Sequence, residues 1–161
     1  YADRVGPLSL DDRLEASGKV ILRVGAPDSD MFIGWFNGAN KEHPPAVVGH
    51  FVGVHVGGPT RVGHYFHPVF TTGKGAHGKT ERGPLLTPGK VFDWSIVYDP
   101  TANGGLGEIK VTLGKESVTL PLKRGQKAEG ATFDRFGLCT SDIGGQQVKI
   151  YLDDLKYTVR R

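Results

Sequence analysis

The sequence predicts an all-β fold, a two-sheet antiparallel β-sandwich of about nine or more strands, and three observations support this prediction. From Gly18 onward, short apolar runs alternate with a period of two residues, and Gly, Pro, Asn and Asp separate them. The 161-residue chain contains 24 glycines, about twice the usual glycine usage. Residues that favour helices, such as Ala, Leu and Glu, are scarce. This composition is typical of many short strands joined by tight turns.

The alternation places the predicted strands in chain order from Gly18 to the C-terminus. They are Lys19–Val24, Met31–Asn37, His50–Val56, Arg61–Phe70, Val91–Tyr98, Glu108–Leu113, Glu116–Leu122, Phe133–Thr140 and Gln147–Val159. We expect the last strand to be broken or bulged near Asp153 and Asp154.

The connections between these strands have turn chemistry of their own. Leu113-Gly-Lys-Glu116 predicts a tight hairpin, and residues 99–107 predict a longer Asp/Asn/Gly turn between antiparallel neighbours. Residues 71–88 contain four glycines and no usable periodicity, which predicts a long mobile loop over one edge. Near the start, residues 9–17 have leucines at a spacing that allows one helical turn.

Length, charge and cysteine content narrow the class of molecule. We expect residues 1–161 to form one domain, because a core of this size folds without staples. The net charge of +3 comes from 20 basic and 17 acidic residues spread along the chain, so neither a nucleic-acid arm nor a membrane patch is expected. No stretch reaches the ~18 apolar residues needed for membrane insertion.

Cys139 is the only cysteine, which excludes an internal disulfide and favours an inert thiol. Because the chain begins at Tyr1 without a Met, we interpret it as a processed product or a piece of a longer protein.

Alternation also assigns one face of each strand to the core and the other to the outside. In His50–Val56, the β-branched Val52, Val54 and Val56 are predicted to point inward, so Phe51 and His55 point outward. The same rule, applied to four strands, yields an outward set that is aromatic and cationic. Its members are Phe32, Phe36, Phe51, His55, Arg61, Tyr65, His67 and Arg135.

Such a set has the chemistry of a sugar-binding surface. Aromatic rings offer flat apolar faces to the C–H groups of a pyranose, and Arg and His donate hydrogen bonds to hydroxyls and carboxylates. One alternative is that the same residues support loops packed over the sheet, and another is that the register is shifted by one residue, so that the two faces exchange.

Two stretches near the C-terminus resemble known closing strands. Phe133-Asp-Arg-Phe-Gly-Leu-Cys-Thr140 and Gln147-Val-Lys-Ile-Tyr-Leu-Asp-Asp-Leu-Lys-Tyr157 resemble the last strands of concanavalin A-like (laminin-G-like) jelly rolls. Trp94–Tyr98, leading into Asp99-Pro100, is similar to the strand and turn that precede a paired hairpin in such domains. The resemblance covers most of Lys19–Val159. It implies a jelly roll with a concave sheet, in a superfamily of lectins, carbohydrate-binding modules, glycoside hydrolases and alginate-type polysaccharide lyases.

The resemblance implies two kinds of carbohydrate-active enzyme as candidates. A glycoside hydrolase needs two carboxylates on one concave strand. The sequence offers no such strand, since its acidic residues there are isolated or adjacent. A polysaccharide lyase needs a base and an acid, commonly Tyr and His, with an Arg or Asn that neutralises the uronate carboxylate. His55, Tyr65 and Arg135 are the candidate catalytic residues for that reaction.

Histidines and aspartates of the sequence are candidate ligands of a metal ion. Five histidines lie between His50 and His77, but only a cross-strand pair such as His55 with His67 shares a face, and a third ligand is not obvious. We expect no required cofactor. Asp153 and Asp154, with turn carbonyls, are candidate ligands of a structural calcium ion, and the alternative is that they are surface carboxylates at a strand bend.

The leading hypothesis is a carbohydrate-binding domain that recognises a polysaccharide or glycan on its concave sheet. The second is a polysaccharide-degrading enzyme, with lyase-type β-elimination ahead of hydrolysis. The third is a structural or protein-interaction sandwich. A glycan-related function implies an extracellular or periplasmic location.

Overall fold

The computed structural model describes residues 1–25, 29, 31–39, 49–60, 63–139 and 147–160, with only the backbone for 58–60 and 160. It confirms the all-β sandwich: the described residues form twelve strands in two antiparallel sheets. Helical structure within this part is limited to two short turns, Ala102–Gly105 and Lys127–Glu129. No helix in the described ranges is long and apolar enough to cross a membrane.

We call the seven-stranded sheet the front sheet and the five-stranded sheet the back sheet. The front sheet has the order β1 (Ala2–Ser9), β11 (Thr132–Cys139), β3 (Met31–Phe36), β4 (Phe51–Thr60), β5 (Gly63–Thr71) and β6 (His77–Lys79), and β7 (Leu85–Leu86) also pairs with β5. The back sheet has the order β10 (Glu116–Pro121), β9 (Glu108–Leu113), β8 (Val91–Asp99), β2 (Arg13–Gly25) and β12 (Val148–Arg160).

The core lies between the sheets and is built from the predicted inward faces. Val52, Val54 and Val56 are fully buried within it, as the alternation predicted. Aromatic pairs join the sheets: Phe66 meets Trp94 edge to face, with ring centroids 5.9 Å apart. Phe136 stacks on Tyr157 at 4.4 Å. The apolar period of two therefore identified the buried face of β4.

The structure confirms the predicted tight hairpin, whereas two other connections differ from the prediction. Leu113 and Glu116 are paired and Gly114 has a φ of 60°, as the predicted tight turn requires. The predicted helical turn over residues 9–17 is wrong, because β1 ends at Ser9 and β2 begins at Arg13. The Asp12 carboxylate accepts the Ser9 backbone N–H at 2.7 Å and closes the turn between the strands.

The segment 71–88 is only partly a loop. It contains β6 and β7, which both pair with β5 and were not predicted. At three and two residues, these strands are too short to show a period. In β12 the predicted bulge is confirmed: the register with β2 shifts between Asp153 and Lys156, and Asp154 has a φ of 50°.

A buried tyrosine anchors the turn between β1 and β2 to the back sheet. Tyr98 is 0 % exposed, and its hydroxyl donates a hydrogen bond to the Leu10 carbonyl at 2.7 Å. Burial raises the pKa of this phenol, so it remains a donor across the accessible pH range.

Replacing this tyrosine, Tyr98→Phe, should lower the free energy of unfolding by about 1–2 kcal/mol, because the Leu10 carbonyl loses its buried donor. Urea denaturation followed by tryptophan fluorescence measures the change. Tyr151→Phe is the matched control, since Tyr151 is 51 % exposed on the back sheet. Equal stabilities of the two variants would contradict the anchoring role.

Candidate functional site

Strand pairing arranges the outward side chains of the front sheet in rows, and we call this surface the front face. Paired residues of neighbouring strands lie on the same face. One row is Cys139–Phe32–His55–His67, the next is Ala2–Gly137–Gly34–Gly53–Val69–Lys79, and the third is Arg4–Arg135–Phe36–Phe51–Thr71–His77. Tyr65 lies beyond the first row, paired with Gly57.

Five rings on this face form a continuous series, which we call the ring ladder: Phe51, Phe32, His55, His67 and Tyr65. The centroids of the first two are 5.7 Å apart, edge to face, and Phe32 stacks on His55 at 4.5 Å. His55 stacks on His67 at 5.1 Å, and Tyr65 follows at 6.2 Å. The ladder thus runs from the middle of the sheet to one corner.

Glycines make room for the ladder. A Cβ added at Gly53 would lie 2.5 Å from Cζ of Phe51, and one added at Gly34 would lie 3.1 Å from the same atom. A Cβ at Gly57 would lie 2.5 Å from Nδ1 of His55. The rings of Phe51 and His55 therefore rest where the sheet has no side chain beneath them.

Burial along the ladder corrects one part of the sequence prediction. Phe32, Phe36 and Phe51 lie on the front face, as predicted, but they are only 5 %, 9 % and 0 % exposed. They form a second apolar cluster with Val69, separate from the core. In this structure these three phenylalanines are therefore not open platforms for a sugar.

Tyr65 is the accessible end of the ladder. His55 and His67 are 8 % and 3 % exposed, whereas Tyr65 is only half-buried. Its hydroxyl makes no hydrogen bond to any residue in the described ranges. On the neighbouring strand β7, Leu85 pairs with Tyr65. Tyr65 is therefore an accessible aromatic ring at this corner, and its nearest neighbour in the ladder is the buried His67.

The two histidines are fixed by hydrogen bonds. Nδ1 of His67 lies 2.8 Å from the Thr80 carbonyl oxygen, which can only accept, so this nitrogen carries a proton. Burial and the nearby His55 lower the pKa of His67 to about 4, and the ring is neutral at pH 7. Its Nε2 then accepts from Nδ1 of His55 at 3.0 Å. A backbone carbonyl thereby sets the tautomer of both rings.

Arg135 does not lie at this corner, although the sequence predicted it to act with His55 and Tyr65 as a candidate catalytic residue. It belongs to the third row, whose β5 member is Thr71, six residues from Tyr65. At about 3.3 Å per residue and about 4.8 Å per strand, the two residues are about 20 Å apart along the strands and about 14 Å across them. Its guanidinium pairs with Asp134 at 2.9 Å. One sugar carboxylate cannot contact both Arg135 and Tyr65.

The remaining predicted residues lie elsewhere. Arg61 falls outside the described residues. Asp153 and Asp154 lie at the β12 bulge, where the Asp153 carboxylate accepts the Asp154 N–H at 2.8 Å and Asp154 pairs with Lys19. No group of three or more His, Cys, Asp or Glu residues in the described part could hold a metal ion. The calcium ligands stay a prediction.

The sequence missed Thr80 and Lys79, which border the corner. Both lie in the segment interpreted as a loop, and neither shows a periodic signal. The glycine at position 57 makes room for the His55 ring, but the sequence alone does not show that these two residues are in contact.

Acidification tests the neutral His67. Its pKa of about 4 in the folded state lies below the 6.5 of an unperturbed histidine, so the unfolded state binds more protons between these values. The contribution of this residue to stability is therefore complete above pH 6.5 and is lost as the pH drops towards 4, and it amounts to about 3 kcal/mol.

The substitution His67→Gln should remove this part of the pH dependence, as measured by denaturation at a series of pH values. His77→Gln is the control, because His77 is exposed on the same sheet. If His67→Gln leaves the slope between pH 6.5 and 4 equal to that of the parent, the buried neutral state is refuted.

Comparisons with known proteins bear on the fold alone. No protein-family model matches the sequence, and no curated protein matches it. Among solved structures, an alginate lyase from Alteromonas sp. 272 superposes with a TM-score of 0.59 at 12 % identity, over 98 % of this chain and 75 % of that one.

Two further solved structures superpose with slightly lower TM-scores. A double mutant of congerin II gives a TM-score of 0.52 at 15 % identity over 98 % of both chains. The carbohydrate recognition domain of Emp47p gives 0.55 at 10 % identity, over 94 % of this chain and 73 % of that one. All are concanavalin A-like jelly rolls, and this chain has that fold, as the sequence resemblance implied.

Proposed function

We propose that this chain is a carbohydrate-binding domain that holds a glycan at the Tyr65 corner of the front face. The observation that carries the proposal is Tyr65 itself, a half-buried ring at the end of the ring ladder whose hydroxyl makes no hydrogen bond within the described part of the chain. An aromatic ring of this kind stacks on a pyranose while its hydroxyl exchanges hydrogen bonds with the sugar.

The rigidity of the corner supports this proposal. His55 donates a hydrogen bond to His67, and His67 donates one to the Thr80 carbonyl. These bonds hold the two histidine rings of the ladder in one arrangement beside Tyr65. A ligand that binds a preorganised ring loses less free energy to ordering side chains. The fold is shared with a carbohydrate recognition domain and an alginate lyase, whose names fit a glycan ligand. A carbohydrate ligand would be consistent with an extracellular or periplasmic location.

A lyase is the second candidate, because Tyr65 and His67 are neighbours and these residue types serve as acid and base in β-elimination. The distance of Arg135 from this corner counts against it, since the carboxylate of the reacting sugar would need another partner. We therefore rank binding above catalysis.

Removal of the ring tests the binding function. Tyr65→Ala should weaken binding to a recognised polysaccharide about tenfold, a loss typical of one stacked aromatic with its hydrogen bond. Tyr65→Phe should lose less, since the ring remains. Affinity gel electrophoresis in a panel of neutral and acidic polysaccharides measures both.

Tyr151→Ala is the matched control, an exposed tyrosine on the opposite sheet. Equal retardation of Tyr65→Ala and Tyr151→Ala in every gel would rule out the corner as the binding site. Release of unsaturated sugar ends, followed by absorbance and abolished by Tyr65→Phe and by His55→Ala, would instead establish the lyase.

A further inference from the structure

The two outer faces of the sandwich differ in charge. The three rows of the front face carry Arg4, Arg135 and Lys79, together with the histidines of those rows, and none of their described positions is Asp or Glu. The outward positions of the back sheet carry both signs. They include Glu15, Asp93, Asp99 and Glu108 beside Arg13, Lys19 and Lys110.

The front cations lie at opposite ends of the rows. Arg4 is on the edge strand β1, next to Arg135, and Lys79 is on the opposite edge strand β6. Five strand spacings separate them, about 24 Å. Arg4 and Lys79 are exposed, and neither forms an ion pair with a residue in the described part of the chain. Their charges are therefore available to a ligand that spans the sheet.

Among the described residues, Asp134 and Glu129 border this face and are engaged, and the exposed Glu81 follows Thr80 in the chain. Asp134 pairs with Arg135 and accepts the Gly38 backbone N–H at 2.7 Å. Glu129 accepts hydrogen bonds from the Thr72 hydroxyl and, at 3.2 Å, from the Ala76 N–H. Asp134 offsets the charge of Arg135 near one end of the third row, and Glu129 lowers the positive potential near the other end. Lys79 lies close enough to His67 to lower the pKa of that histidine.

We propose that the ligand of the front face is an acidic polysaccharide, whose repeated carboxylates or sulfates contact Lys79 near the Tyr65 corner and Arg4 with Arg135 at the far edge. This inference rests on the proposed carbohydrate-binding function and adds the chemical class of the sugar. Arginine binds planar oxyanions through two parallel hydrogen bonds, and lysine binds them as a point charge. A polymer with an anion on successive sugars can contact both edges at once, which a small anion cannot.

The test compares two double variants that remove the same charge from opposite faces. Arg4→Gln with Lys79→Gln alters the front face, and Lys110→Gln with Lys156→Gln alters exposed lysines of the back sheet. The probes are polygalacturonate and heparin, with dextran as the neutral polymer, at about 0.15 M salt.

The proposal predicts that the front variant binds the acidic polymers about tenfold more weakly, whereas the back variant changes binding less than twofold. Equal losses in both variants would show attraction to the net charge alone and would overturn it. Equal or tighter binding of single-stranded DNA with the same variant dependence would overturn the assignment to a sugar.

The outcomes separate this inference from the function on which it rests. If dextran binds as well as the acidic polymers and the binding still depends on Tyr65, the carbohydrate function stands and the acidic class is wrong. If no polysaccharide binds the unmodified protein, both proposals fail.

Discussion

Close approach of the central front strands is the constraint on which the rest of this face depends. Gly137, Gly34 and Gly53 lie directly opposite one another across β11, β3 and β4. A Cβ at Gly34 would lie 2.6 Å from the Cα of Gly53, and one at Gly137 would lie 2.7 Å from the Cα of Ala2. Three adjacent strands therefore have no room for a side chain at this level, and the glycines leave a shallow channel that the Phe51 ring fills over Gly53 and Gly34.

The channel explains why the front face has a closed middle and open ends. Phe51 lies over Gly53 and Gly34, and this places its edge against Phe32. The remaining rings follow from that contact in the order His55, His67 and Tyr65. Since the first four are buried, the proposed ligand would contact Tyr65 and the charged residues at the two edges.

The fold and the facing of the central strands could be predicted because they depend on a local pattern. A run such as Val52, Val54, Val56 shows its buried face in the sequence itself, and the bulge at Asp154 and the hairpin at Gly114 carry local signals as well. Both outer tyrosines, Tyr65 and Tyr151, were assigned to strands on the same basis.

The candidate site could be predicted only in part, because it depends on register and burial. Alternation placed Arg135 and Tyr65 on one face, but their separation follows from which residues pair across β11, β3, β4 and β5. Alternation also placed Phe51 on the outward face, but it could not show that this side chain is 0 % exposed. The Thr80 carbonyl that orients His67 is a backbone group, so no residue type signals its role.

Backbone amide chemical shifts, followed by NMR while polygalacturonate is added, test the central claim most directly, because they report which face the glycan contacts. The account predicts that the largest changes cluster around Tyr65, Lys79 and Arg4, with small changes around Tyr151 and Lys110. Largest changes on the back sheet, or changes spread evenly over both sheets, would contradict it.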